Sequence, residues 1–234
     1  MGRRIGVRAV LAGITVLALA VTLTGGAQAQ GVPTTSGYGP TQAGFIQNLG
    51  QWDSQAEFKL RNGGLDVWLT REGFVYDAAD LTSATRPAGA EAQEPAEPEP
   101  EVLGPRHVVR AEFVSGWPSG VSGQQQLAGD YNWMVGPEEA WVTGAKAYGA
   151  VQYSDLWPGV DVEIRPVGAG SATDGTQNGV MKTTYSLAAG VDPAVTRVRY
   201  EGAESLSVDQ QGRLVIETSL GDIVEDRPVA FQDG

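Results

Sequence analysis

Several stretches of this chain alternate between apolar and polar residues, and this pattern constrains the fold more than any other feature. Residues 65–70 (LDVWLT), 109–113 (VRAEF) and 160–165 (VDVEIR) show this period of two. Such a period places one row of side chains on a core and the other row in water, as antiparallel sheets require. After residue 29 the pattern predicts no long helix, and only residues 138–141 are expected to form one helical turn, following Pro137.

Turn-forming residues separate these strands at short, regular distances. Asn62-Gly63-Gly64 precedes residues 65–70, and Asn-Gly favours the positive φ values of tight hairpins. Residues 71–73 (REG), 209–212 (DQQG) and 219–221 (SLG) predict further tight connections. The combination predicts an all-β fold, an antiparallel β-sandwich-like domain of about a dozen strands.

The first 29 residues have the three parts of a secretory signal peptide. Arg3, Arg4 and Arg8 give a basic start, residues 9–23 are mainly apolar, and residues 27–29 (AQA) form a small-x-small cleavage site. The apolar run of about fifteen residues is shorter than the roughly twenty that a membrane-spanning helix needs. We therefore predict cleavage after Ala29, a secreted or cell-surface location, and no membrane span in the mature protein.

The composition of the remaining chain excludes several classes of function. Removing residues 1–29 leaves 205 residues and changes the net charge from −12 to −15, because three arginines and no acids are lost. Such an acidic chain is repelled by phosphate backbones, which argues against nucleic acid as a partner. Cysteine is absent, which excludes thiol nucleophiles and cysteine-based metal sites. The sequence indicates no cofactor.

We interpret residues 45–232 as a single β domain. Residues 30–44 are small and polar, and predict a flexible leader. Residues 79–106 are rich in Pro and Glu and lack apolar mass, so they predict a disordered acidic insertion between two strands of this domain.

Few residues suggest catalysis. His107 is the single histidine, so a Ser–His–acid triad would have to use it. No nucleophile motif lies nearby, and we interpret His107 as an ordinary strand-edge residue at the start of a strand. Asp161 and Glu163 are expected on the same solvent-facing row, where paired carboxylates are also an ordinary feature of an acidic sheet.

Asp155 and Asp161 are the calcium candidates of this sequence. They lie at a junction between a loop and a strand, where carboxylate oxygens suit the ion, although the spacing is not that of a calcium-binding loop. The alternative is structural: Asp155 would bind backbone N–H groups of the turn at Pro158-Gly159.

The chain contains six tryptophans, many for its length. Such rings fill a core or a domain junction, or stack on sugars when they are exposed. Trp68 lies on the row opposite Leu65, Val67 and Leu69, so we expect it on an outer face. Trp68 and Trp157 are the candidates for stacking on a ligand.

Several segments together resemble one protein family. Residues 45–52 (FIQNLGQW) are similar to its opening phrase Phe-x-x-Asn-x-Gly-Gln-Trp, and residues 148–161 (YGAVQYSDLWPGVD) are similar to its middle. Further similar segments are residues 64–69, 73–76, 131–136, 182–185, 190–193, 200–203 and 228–232. The resemblance is to the uncharacterised N-terminal domain of bacterial exported proteins that carry SBBP (β-propeller-type) repeats or immunoglobulin-like modules.

This resemblance implies a non-enzymatic structural or accessory module that supports downstream repeats or contacts other surface proteins. It supplies no catalytic residues. A carbohydrate-binding module is the first alternative, with a glycan as the partner, and a glycoside hydrolase-like enzyme is the second.

Overall fold

The computed structural model describes residues 4–7, 44–62, 64–79, 104–167, 177–178 and 180–232, and these residues form an all-β structure. Two short 3-10 turns, Glu138–Ala140 and Pro193–Val195, are its helical elements, and the first confirms the helical turn predicted at residues 138–141. No helix in the described ranges is long and apolar enough to cross a bilayer. The strands are β1 Arg4–Val7, β2 Phe45–Gln47, β3 Ala56–Asn62, β4 Leu65–Thr70, β5 Gly73–Ala79, β6 Arg106–Phe113, β7 Gly120–Trp133, β8 Val142–Trp157, β9 Val160–Pro166, β10 Gln177–Asn178, β11 Met181–Ala188, β12 Val198–Glu201, β13 Ser205–Val208, β14 Leu214–Glu217, β15 Ile223–Glu225 and β16 Ala230–Gln232.

These strands form one large curled sheet and one small sheet. The large sheet has twelve strands in the order β12-β6-β5-β4-β3-β2-β8-β9-β11-β1-β16, with β7 paired to β8 off this path. The small sheet has four strands in the order β10-β15-β14-β13, and its β10–β15 pair is parallel. The predicted antiparallel, sandwich-like fold is confirmed, although the two layers are of very unequal size.

The alternating rows predicted from the sequence meet in one hydrophobic core. Every second residue of β4 and β9 is buried in it, and the small sheet contributes side chains to the same cluster. Removing side chains of this size from water stabilises a fold by about 1.5–3 kcal/mol each. The buried residues include Leu65, Val67, Leu69, Val160, Val162 and Ile164 from the large sheet, and Leu214, Ile216 and Ile223 from the small sheet.

The predicted turns lie where the sequence placed them. Asn62 pairs with Leu65, so β3 and β4 form a tight hairpin at the predicted position. At the next turn, a Cβ atom on Gly73 would lie 1.9 Å from the carbonyl oxygen of Ala111, so only glycine fits there. These turns give β3, β4 and β5 the register that sets their outward-facing side chains.

Strands β5 and β6 are neighbours in the large sheet, with Ala79 opposite Arg106. The chain therefore leaves the sheet and re-enters it beside the point of departure. Most of the predicted acidic insertion, residues 80–103, lies outside the described residues.

A carboxyl group links the two sheets through hydrogen bonds. Oε1 of Glu225 in β15 accepts a bond from the Tyr76 hydroxyl of β5 (2.7 Å) and another from the Tyr200 hydroxyl of β12 (3.0 Å). Burial raises the pKa of Glu225, and the two phenol donors only partly oppose this shift. The pKa values of Tyr76 and Tyr200 are also raised, first by burial and then by Glu225.

Residues 4–7 form strand β1, which lies between β11 and β16. They belong to the predicted signal peptide, and the rest of that segment and nearly all of the predicted leader lie outside the described residues. Phe45 and many later residues belong to the hydrophobic core. Cleavage after Ala29 would therefore remove the strand that pairs with β11 and β16.

We predict that a protein lacking residues 1–29 unfolds cooperatively, with a Tm within about 5 °C of the full chain, because it keeps the core cluster formed from Phe45 onward. Thermal circular dichroism of both proteins measures this. If the shortened protein has no cooperative transition, β1 is an essential strand and the signal-peptide prediction fails.

We predict that Glu225→Gln removes part of the pH dependence of stability. A folded pKa raised above the ordinary 4.5 means that Glu225 favours folding below this pH and that its contribution is lost as the pH rises through the folded pKa. The glutamine carbonyl still accepts both tyrosine bonds and does not ionise. The variant should therefore match the wild type below pH 4.5 and gain stability relative to it at pH 7, as measured by urea unfolding.

The matched control is Glu225→Ala, which leaves both tyrosine hydroxyls without their acceptor and should be less stable than the wild type at every pH. A constant difference between the glutamine variant and the wild type from pH 4 to pH 8 would contradict a raised pKa.

Candidate functional site

Four aromatic rings from three separate segments meet on the outer side of the large sheet. The rings of Trp52 and Trp68 lie 5.4 Å apart in an edge-to-face arrangement, and those of Trp52 and Trp133 lie 5.0 Å apart. Tyr131 stacks beside Trp133 at 6.2 Å. All four side chains are half-buried rather than enclosed. We call Trp52, Trp68, Tyr131 and Trp133 the tryptophan surface.

Lys59 lies beneath this surface. It is opposite Trp68 on the neighbouring strand, and its Nζ atom is 4.0 Å from the centre of the Trp68 ring and 5.6 Å from that of Trp52. Nζ also forms an ion pair with Asp66 at 2.8 Å, and Asp66 is further contacted by Arg61. Lys59 and Asp66 are each only 8% exposed.

Burial lowers the pKa of Lys59, and Asp66 opposes that shift. A cation over an aromatic face is worth about 0.5–1 kcal/mol when exposed and about 2 kcal/mol when desolvated. The ion pair and the ring contacts therefore hold Trp68 against the sheet in a defined orientation.

The turn after β2 places Trp52. Phe45 is buried in the core, and the amide nitrogen of Asn48 donates to two backbone carbonyls of the turn at 2.8 and 2.7 Å. The Asn48 oxygen accepts from the N–H groups of Gly50 (3.0 Å) and Trp52 (3.3 Å). Gly50 has φ +109°, and the side chain of Gln51 binds the carbonyl of residue 47. The residues of the phrase Phe-x-x-Asn-x-Gly-Gln-Trp thus form a turn held by its own side-chain-to-backbone hydrogen bonds. This turn places the Trp52 indole on the outer side of the sheet.

The end of β7 supplies the other two rings. Tyr131 pairs with Ala145, and the register shifts between Tyr131 and Trp133. Between them, the Asn132 side-chain oxygen accepts from the N–H of Gly144 (2.9 Å), which has φ +78°. The extra residue of this irregularity lies on β8, so Tyr131 and Trp133, two residues apart on β7, face the same side and both contribute to the tryptophan surface.

Other exposed apolar residues follow or precede these rings in the chain. Leu49 lies in the turn of Trp52, and Met134, which is 56% exposed, comes directly after Trp133. Val135 and Trp141 are also exposed, and the Trp141 indole donates to the carbonyl of Gly136.

The two tryptophans singled out from the sequence differ in environment. Trp68 is half-buried on the outer side of the sheet, opposite the buried Leu65, Val67 and Leu69 row, as expected. Trp157 is 2% exposed, its indole donates to the carbonyl of Val114 at 2.9 Å, and its ring packs against Phe113. Trp157 therefore offers no ring face to a ligand, because the strand end that carries it faces the core.

Sequence reasoning did not single out Trp52 or Trp133. Both residues lie in sequence segments that resemble the family. Their rings come into contact only when β2, β3, β4, β7 and β8 assemble into the sheet.

Asp155 and Asp161 lie together, and each is used by the backbone. Asp155, with φ +47°, accepts from the N–H of Gly159 at 2.8 Å, and its own N–H donates to Asp161 at 2.9 Å. This geometry agrees with the structural alternative for Asp155. Among the described residues, no group of three or more His, Asp or Glu is arranged to hold a metal ion.

The remaining candidates for hydrolysis also have structural partners. Glu163 forms two bonds to Arg165, at 2.7 and 2.9 Å. His107 Nε2 lies 2.7 Å from the carbonyl of Gly202, and its Nδ1 accepts from the N–H of Ser219 (3.1 Å) and lies 2.9 Å from its hydroxyl. The Nδ1 lone pair, which a general base would need, therefore already accepts a hydrogen bond from a backbone N–H. Through these bonds His107 links two turns to β6.

Comparison with known proteins gives one family. Residues 45–234 match the family described as "Domain of unknown function (DUF7948)", and the chain belongs to this family. Neither the curated proteins nor the solved structures include a significant match to the chain.

We predict that Asp155→Ala lowers the free energy of unfolding by about 1–2 kcal/mol, because it removes the acceptor for Gly159 and leaves alanine at positive φ. Asp155→Asn is the control: it keeps Oδ1 and tolerates this backbone conformation, so it should stay within about 0.5 kcal/mol of the wild type. Chemical denaturation of the three proteins measures both effects, and equal stability of all three would remove the capping role.

Proposed function

We propose that this domain is a non-enzymatic N-terminal structural or accessory module of an exported bacterial protein, secreted or held at the cell surface. In this proposal it supports downstream β-propeller or immunoglobulin-like repeats. The sequence phrases that resemble the N-terminal domain of SBBP repeat proteins support this role, and residues 1–29 support export.

The observation that carries the non-enzymatic assignment is the bonding of the candidate catalytic groups. Asp155 and Asp161 close a turn, Glu163 pairs with Arg165, and His107 binds Ser219 and Gly202. General acid–base chemistry needs such groups directed at a substrate. Here they fasten strands and turns instead.

The test begins with the genomic sequence downstream of the codon for residue 234. We expect it to encode β-rich repeats, and we expect residues 30–234 joined to the first repeat to unfold at a higher Tm than residues 30–234 alone. For domains of this size about 1 kcal/mol of docking energy corresponds to about 2–4 °C. Differential scanning calorimetry of the joined and separate modules measures the coupling.

Two results would contradict the proposal. One is a reading frame without repeats, or repeats that leave the Tm unchanged. The other is turnover in a screen of glycosides and esters that is lost in the His107→Ala, Asp161→Asn double variant.

A further inference from the structure

We propose that the tryptophan surface binds a neutral polysaccharide by stacking on the apolar faces of its pyranose rings. This inference does not depend on the role in supporting repeats, because it concerns an outer face of the large sheet and not a contact with a neighbouring domain.

The first argument is the chemistry of the surface. Its rings keep part of their surface in solvent, and an exposed polar side chain stands on the same row: Arg61, whose side chain is 64% exposed, contacts the Asp66 carboxylate beneath the rings. A sugar presents C–H groups on its ring face and hydroxyl groups around its rim, so a site for it combines flat apolar rings with nearby polar atoms.

The second argument is preorganisation. Trp52 is held by the Asn48 turn, Trp68 by Lys59, and the end of β7 by the bond between Asn132 and Gly144. Ordering side chains on binding costs free energy, and a site with rings already fixed avoids much of that cost. The four rings pack edge to face or stack, as rings in a core do, but part of each side chain is exposed to solvent and can contact a ligand.

The third argument is charge, which selects the class of glycan. The chain has 28 acidic and 16 basic residues. The basic groups at the site are already paired, Lys59 with Asp66 and Arg61 with the same carboxylate. The acidic domain would repel a polyanionic glycan, and the basic groups of this cluster are already paired with Asp66. A neutral polymer is not repelled and needs no cation.

The experiment uses the mature protein, residues 30–234, in affinity gel electrophoresis. The probes are neutral arabinoxylan, mixed-linkage β-glucan, galactomannan and hydroxyethyl cellulose, with polygalacturonate and heparin as anionic comparisons. We expect retardation by at least one neutral polymer and by neither anionic one. The same polymer should shift the tryptophan fluorescence and protect it from acrylamide quenching, which needs no variant.

Trp52→Ala and Trp133→Ala should each weaken binding about tenfold or more while keeping the wild-type Tm within a few degrees. Trp117→Ala is the matched control. Trp117 is 60% exposed, but it contacts Arg71 and not the tryptophan surface, so its loss should leave binding unchanged.

Three results would overturn the proposal. The first is no retardation and no quenching protection with any neutral polymer. The second is binding that Trp117→Ala weakens as much as Trp52→Ala and Trp133→Ala do. The third is a concentration-dependent dimer, measured by light scattering, that Trp52→Ala and Trp133→Ala dissociate, because the surface would then be a protein interface.

Discussion

The burial of one apolar row per strand between the curled sheet and the small sheet holds this structure together. The small sheet supplies Leu214, Ile216 and Ile223 to a core that the large sheet alone would leave open. Within that core, aromatic rings continue the packing edge to face, from Phe74 to Phe113 and on to Trp157. Each such pair adds about 0.5–1.5 kcal/mol to the burial of its area. Because burial of the inner row stabilises the fold, residues of the outer row are not required for the core and can form a binding surface.

Local bonds from short polar side chains fasten the turns of this cysteine-free domain. Asn48 organises the turn of Trp52, Asp155 caps the turn before β9, and Asp209 accepts from the N–H groups of residues 211 and 213. Asn and Asp suit this use because their side chains reach backbone N–H groups within a few residues and tolerate positive φ. Two phrases of the sequence that resemble a protein family, residues 45–52 and 148–161, are therefore partly explained by backbone geometry.

The tryptophan surface depends indirectly on the same bonds. Its rings stand on the turn of Asn48, on β4 beside Lys59, and on the irregular end of β7. The buried Lys59–Asp66 pair lies on the outward row of the sheet, where alternation alone would place solvated residues. The indoles that cover the pair account for this difference. They shield both charges from water, and the ion pair between Lys59 and Asp66 offsets part of the cost of burying them.

The sequence by itself determined the β class, the hairpin at Asn62-Gly63-Gly64, the inward rows of β4 and β9 and the outward position of Trp68. These follow from periods and turn residues within a few positions of one another. The tertiary structure alone decided that Trp157 enters the core, that Trp52 and Trp133 meet Trp68, and that Glu225 joins Tyr76 and Tyr200. The physical reason is distance along the chain: these contacts join segments up to about 150 residues apart, and the curl of the sheet and the placement of the small sheet bring them together.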